Sequence, residues 1–178
     1  MGCNSNTQQT EYKGVPLPET KTLSKEERDS VMAMVVDTLM ASGLPNMNIY
    51  IACGIAGNIK AESTFNYTAV NKNGCAYGLC QWYNTRLTKL YNWCKENGCS
   101  YTSPEGQLKY LIHELKDVSV YKNVYATISS PEYCNDIDKI AYYFCMHFEV
   151  PGEKYCKSRP SMARQVFEDY KRLKTQTS

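Results

Sequence analysis

The sequence predicts a mainly α domain, a helical bundle around a central buried helix with one small β-hairpin or loop beside it. Two observations carry this. Apolar residues recur at helical spacing through most of the 178 residues, and in one stretch they are apolar or small on nearly every side, as a helix enclosed by others must be. A composition of 43% hydrophobic, 12% aromatic and 21% charged residues is enough for one compact core.

Residues 1–22 mix Gly, Pro, Thr and Gln without period and read as a flexible linker, which places the folded body at 23–178. Ser24 followed by Glu27 makes a capping box, Val31, Val35 and Leu39 follow at helical spacing, and Gly43 and Pro45 end this first helix. The second, from Asn46 to Glu62, carries Ile49, Ala52, Cys53 and Ala56 with Gly54 and Gly57, and is the expected core helix. Residues 64–81 change to Thr, Asn, Tyr, Gly and Val, with turn signals at Asn71–Gly74 and at Gly78, and read as a loop or hairpin. Further helices are expected at Asn84–Asn97, Ser103–Lys116, Asp136–Phe148 and Arg159–Lys174, with a short one at Val120–Ile128. There is no internal repeat.

Twenty Lys and Arg against eighteen Asp and Glu leave a net charge of +2, too little for a dedicated nucleic-acid surface. Basic residues gather in the last helix, where seven oppose three acids over 153–178; an attraction to anionic wall polymers and a solvated helix face are the two readings. The longest apolar stretch, Ile49–Gly57, is too short to span a membrane. Cys3 stands in the polar leader after Gly2, as a lipid-attachment point or as an ordinary cysteine, and Asn6 departs from a myristoylation signal. The other eight cysteines fit a disulfide framework of an oxidising compartment, with free buried thiols as the alternative. Cys75 with Cys80, and Cys94 with Cys99, are close enough in sequence to staple short loops. No pair has the spacing of a zinc knuckle, and neither His113 nor His147 has a convincing ligand set, so no metal and no cofactor is expected.

Glu62 is the leading catalytic candidate. It falls at the C-terminal end of a buried helix, where unpaired carbonyls disfavour a carboxylate and raise its proton affinity. A carboxyl that stays protonated near neutral pH is what a glycosidase acid needs. The surrounding motifs are Gly57-Asn58-Ile59-Lys60-Ala61-Glu62-Ser63, then Tyr77-Gly78-Leu79-Cys80-Gln81-Trp82 with Arg86, then Gln107 to Leu115, and Phe148-Glu149-Val150-Pro151-Gly152.

A Glu-Ser pair at a helix end followed by Gly-x-x-Gln resembles the lysozyme-like peptidoglycan hydrolases, including lytic transglycosylases and goose-type lysozymes. The longer motifs, over residues 45 to 172, resemble the phage tail lysozyme family more narrowly. The resemblance implies an α+β lysozyme-like fold and cleavage of the β-1,4 bond between MurNAc and GlcNAc in peptidoglycan. It gives Glu62 the role of acid, Ser63 that of a positioning residue and Gln81 a place beside the cleft. Tyr77, Trp82 and Tyr143 fall in segments it puts near the glycan, the alternative being ordinary packing. Glu149 would face the cleft or serve as a structural partner for Arg86 or Arg159.

Between Ser63 and Lys95 there is no Asp or Glu, and the hairpin carries Asn66, Asn71 and Asn73 instead. Unless Glu149 supplies a second carboxylate, a one-carboxylate course is expected: closure of a 1,6-anhydro ring, or hydrolysis by a water held on Asn or Gln side chains or helped by the substrate's acetamido group. The rivals are a wall-binding module that does not cut, and a cysteine endopeptidase, which needs an exposed activated thiol. The resemblance implies an extracellular, envelope or virion-associated monomer whose partner is the peptidoglycan glycan strand.

Overall fold

The computed structural model describes residues 10–71 and 75–176. The bundle is helical with two small antiparallel sheets, β1 (Thr10–Tyr12) with β2 (Val15–Leu17) and β3 (Val70–Asn71) with β4 (Ala76–Tyr77). Its helices are α1 (Lys25–Met40), α2 (Ile49–Ser63), α3 (Thr85–Glu96), α4 (Pro104–Asp117), α5 (Ser119–Ile128), α6 (Ile137–Phe144), α7 (Glu153–Cys156) and α8 (Arg159–Gln176), with a π-helical segment at Cys145–Glu149. No helix among the described residues is long and apolar enough to cross a membrane.

The expected core helix is α2. Asn48 caps it, its side-chain oxygen accepting from the backbone N–H of Tyr50 and Ile51 at 2.9 and 3.0 Å while its amide donates to the Cys134 carbonyl. Every residue from Ile51 to Ile59 is buried. Gly57 explains how closely α8 approaches: a Cβ there would lie 2.6 Å from the backbone N and Cα of Ala163. Asn58 ties the same helix to α6 by donating to the Gly54 and Ala141 carbonyls, both at 3.0 Å. Gly57→Ala must therefore push α2 and α8 apart at backbone level. The expected cost is about 1–3 kcal/mol, read as a fall in thermal midpoint; an unchanged midpoint would contradict this packing.

The capping box at Ser24 is present, its hydroxyl accepting from Glu27 N–H and the Glu27 carboxylate accepting from Ser24 N–H. Residues 1–22 are not a linker throughout. From Thr10 the chain forms the β1–β2 hairpin, whose Val15 and Leu17 are buried in the core. Tyr12 donates to the Asn84 side chain and Tyr101 to the Pro16 carbonyl, so the hairpin is bound to the start of α3 and to the α3–α4 turn. Cys3, Asn73 and Gly74 lie outside the described residues.

Neither short-loop staple forms, and the buried thiols of Cys53, Cys80 and Cys94 follow the alternative of free core cysteines. A disulfide joins Cys145 to Cys156, whereas Cys75, Cys80, Cys94 and Cys99 are free thiols, as are Cys53 and Cys134. Cys80 and Cys94 are instead packed as core residues. The basic C-terminal helix uses much of its charge internally: Arg164 pairs with Asp138, Lys174 with Asp37 and Arg172 with Asp169.

Candidate active site

Glu62 sits in the last turn of α2, and the chain stops being helical in a costly way. Thr64 and Phe65 both take left-handed backbone, with φ of 50° and 60°. Such residues cost about 1–3 kcal/mol each and persist only where surroundings hold them. Here Thr64 N–H donates to the Lys60 carbonyl, its hydroxyl accepts from Arg28, and Phe65 is buried. The result is a carboxylate with its side chain 21% exposed, at the end of a helix buried along its length.

Across from Glu62 stands Arg159, the first residue of α8, only 7% exposed and donating to Glu62 Oε1. Its Nε also meets the Cys145 sulfur at 3.3 Å, so one guanidinium spans from Glu62 to the disulfide. Burial raises the proton affinity of Glu62 and Arg159 lowers it; burial prevails, leaving the Glu62 carboxyl above the ordinary carboxylate range.

The second carboxyl is Glu149. The helix expected over Asp136–Phe148 is α only to Phe144; from Cys145 it becomes a π turn, closed by Val150 N–H on the Cys145 carbonyl at 2.9 Å. The looser turn re-aims Glu149, and Val150 then takes a left-handed φ of 53°, rare for a β-branched residue. Glu149 Oε1 is sealed from solvent and has no hydrogen-bond partner. Burial first, then the nearby Glu62, push its carboxyl up to about 8.

Beneath them lies an ion pair that closes the floor. Glu114, 1% exposed, accepts from Arg86 Nε and Nη2 at 3.0 and 2.9 Å and from Trp82 Nε1 at 2.9 Å. Arg86 also donates to the Phe148 carbonyl and lies over the Tyr121 and Phe148 rings at 4.5 and 4.4 Å from their centroids. Both arginines have bonded carboxylate partners other than Glu149 and act on it only through their charge, which favours its ionised form.

The profile of the phage tail lysozyme family matches residues 30–170. The chain belongs to the phage tail lysozyme family. It is also similar to Morphogenesis protein 1 of Bacillus phage B103, at 26% identity over 123 residues, covering 65% of this chain and 33% of that protein. The chain spans about a third of that relative's length.

In this phage tail lysozyme domain the sequence candidates divide sharply. Glu62 lies near enough to Glu149 to oppose its ionisation, but several of the others face inward. Trp82 and Tyr77 are each 0% exposed, Trp82 held by Glu114 and Tyr77 packed edge-on against Tyr101. Neither ring can stack on a sugar. Ser63 is buried and donates back to the Ile59 carbonyl, which caps the helix rather than positioning Glu62. Gln81 donates to the Ala69 and Gly78 carbonyls and so closes the turn that carries it. Tyr143 packs with Tyr133 and His147, by the residues that adjoin the Asn48 end of α2, away from Glu62. Asn66 cannot hold a catalytic water, because its amide donates to Lys21 and its oxygen accepts from Thr68.

The motif residues around them are structural for clear reasons. Gln107, fully buried, accepts from Leu79 N–H and donates to the Tyr67 and Tyr101 carbonyls. It lies so close to Gly78 that a Cβ there would come within 2.6 Å of its oxygen, and Gly78 has a φ of 81°. The Gly-x-x-Gln turn is thereby fixed onto α4. The missed residue is Glu114, and its signal was present: with Gln107 it places polar groups on the apolar stripe of Leu108, Leu111 and Leu115. Rings left exposed near the site segments are Tyr83, just before Arg86, and Tyr155, beside Cys156.

Proposed function

We propose that this domain cleaves the β-1,4 bond between MurNAc and GlcNAc of peptidoglycan, with Glu62 as general acid and then base. The observation that carries the reading is the position of Glu62: a partly exposed carboxyl, held above its ordinary proton affinity at the rigid end of the core helix. Protonated, it gives its proton to the glycosidic oxygen as the bond to the anomeric carbon breaks. The resulting carboxylate, beside Arg159, takes a proton from the incoming nucleophile. Tyr83 and Tyr155 replace Tyr77 and Trp82 as the rings available to a pyranose face.

Glu149 has one oxygen sealed from solvent and its carboxyl pushed up to about 8, chiefly by burial, which makes it a poor nucleophile and argues against a covalent glycosyl-enzyme. Two courses follow. Attack by water gives hydrolysis; attack by the muramyl C6 hydroxyl closes a 1,6-anhydro ring. A cysteine endopeptidase built on Cys53 or Cys94 is disfavoured, since burial pushes both thiols up to about 12, the reverse of activation. Mass analysis of digested, purified peptidoglycan decides between the courses. Hydrolysis leaves a reducing MurNAc end, and ring closure leaves an end lighter by one water; digestion that releases no muramyl-ended fragments would overturn the reading.

A further inference from the structure

We infer that closing the Cys145–Cys156 disulfide completes the site: it keeps the Cys145 sulfur from becoming a rival anion and so reserves Arg159, a positioning residue, for Glu62. This rests on Glu62 being the acid.

Arg159 is a cation with few partners to choose from. It is 7% exposed, its Nη2 donates to Glu62 Oε1, and its Nε donates to the Cys145 sulfur at 3.3 Å. The packing of Ala163 on Gly57 fixes the start of α8 against α2. The long Arg159 side chain is aimed by what its nitrogens meet, a carboxylate at one end of the fork and a sulfur at the other. What that sulfur is depends on the bond. In the disulfide, Cys145 carries no charge and has no proton to lose, so the guanidinium serves Glu62. With the bond open, Cys145 is a thiol against a buried guanidinium, surroundings that favour a thiolate. That thiolate and Glu62 then compete for one cation, because Arg86 is already bound to Glu114.

The two cysteines are placed for such a change. Cys145 opens the π segment and is fully buried. Cys156 ends the four-residue α7, whose other residues, Glu153, Lys154 and Tyr155, are exposed, as are Lys157 and Ser158 after it. Cys156 itself is buried, so a local opening of α7 brings it to a reagent. The oxidant is another disulfide. The Cys156 thiolate attacks one of its sulfurs and displaces the other as a thiolate; the Cys145 thiolate then attacks the Cys156 sulfur of the mixed disulfide and displaces the rest. The electron pair passes to the oxidant, which leaves as two thiols carrying the protons of Cys145 and Cys156. A dithiol drives the reverse.

The titrating groups that face Glu62 are Arg159 from α8, Glu149 from the π segment and the Cys80 thiol from the turn before α3. Burial keeps a proton on Glu149 up to about 8 and raises the Cys80 thiol well above its ordinary range, which leaves Arg159 as the charge among them at neutral pH. Arg159 favours the ionised form of both Glu62 and Glu149. Diverting it raises the proton affinity of both, so the alkaline limb of activity, where Glu62 loses its proton, moves to higher pH.

The test is the pH profile of cell-wall clearing by the wild type with its bond closed, by Cys156→Ala, and by Cys145→Ala combined with Cys156→Ala. Cys156→Ala leaves Cys145 free to compete, and its alkaline limb is expected roughly one pH unit above that of the wild type. Removing Cys145 as well removes the rival, and the limb returns to its wild-type place. A Cys156→Ala limb that does not move would overturn the inference. So would a double variant that is shifted as far as the single one or does not fold, since the bond is then a brace and nothing more. Should Cys156→Ala not fold, wild type reduced with dithiothreitol, its open bond confirmed by mass, takes its place; if neither open form folds, the bond is again only a brace. Failure of the Glu62 reading shows separately, as a Glu62→Gln protein that still clears walls.

Discussion

Glu62→Gln is expected to clear purified cell walls about 10²–10⁴ times more slowly than the wild type, the range by which a positioned general acid accelerates such a step. Gln keeps an oxygen that can accept from Arg159, so the fold is disturbed little; what is lost is the transferable proton. Circular dichroism and the thermal midpoint should stay close to wild type, which separates loss of chemistry from loss of structure. The same variant separates catalysis from wall binding. A domain that only grips glycan would sediment with cell walls and clear them as slowly as before the change, whereas the proposed enzyme keeps its binding and loses its clearing.

The largest effect on stability is expected at Glu114→Ala. The substitution removes the carboxylate that meets Arg86 and Trp82, leaving a guanidinium 20% exposed and a buried indole N–H without their acceptor. Breaking a buried pair from one side costs about 3–5 kcal/mol, which for a domain of this size lowers the midpoint by roughly 10 °C. Replacing both partners, as Arg86→Met with Glu114→Leu, should recover much of that loss, because no buried charge is stranded. Equal midpoints for the single and double variants would show that packing, rather than charge, holds this floor. Activity should fall in both, since the floor supports Phe148 and hence Glu149.

Much of the bundle was legible because its signals are local. The Ser24 capping box, the enclosed α2 and the Pro104 start of α4 all appear where sequence patterning puts them. The β1–β2 hairpin was missed although Lys13 and Gly14, with φ of 48° and 80°, form the kind of two-residue turn that joins strands. Pro16 and Pro18 obscured it by suggesting irregular chain. In the candidate site, Glu62 is singled out by its motif, but its partner Arg159 lies 97 residues later and no local pattern links the two. Helical periodicity could not foresee the π turn either, since it needs one residue beyond the regular repeat. Tyr77 and Trp82 were misplaced because aromatic residues in a short hairpin have no period from which to tell its inner face from its outer one. Glu149 stands apart from the ion pairs only because Arg86 and Arg159 are both engaged elsewhere, and that depends on carboxylates brought from two other helices.

The β1–β2 hairpin also fixes the path of the described chain ahead of α1. Its outer strand pairs back onto Val15–Leu17 and is fastened to Asn84, while Tyr101 holds Pro16. The described chain therefore runs beside α3, from Thr10 on, before it reaches the head of α1. A label carried on the β1–β2 turn, at Lys13 or Gly14, would therefore report on the α3 side of the bundle and not on the α1–α8 side.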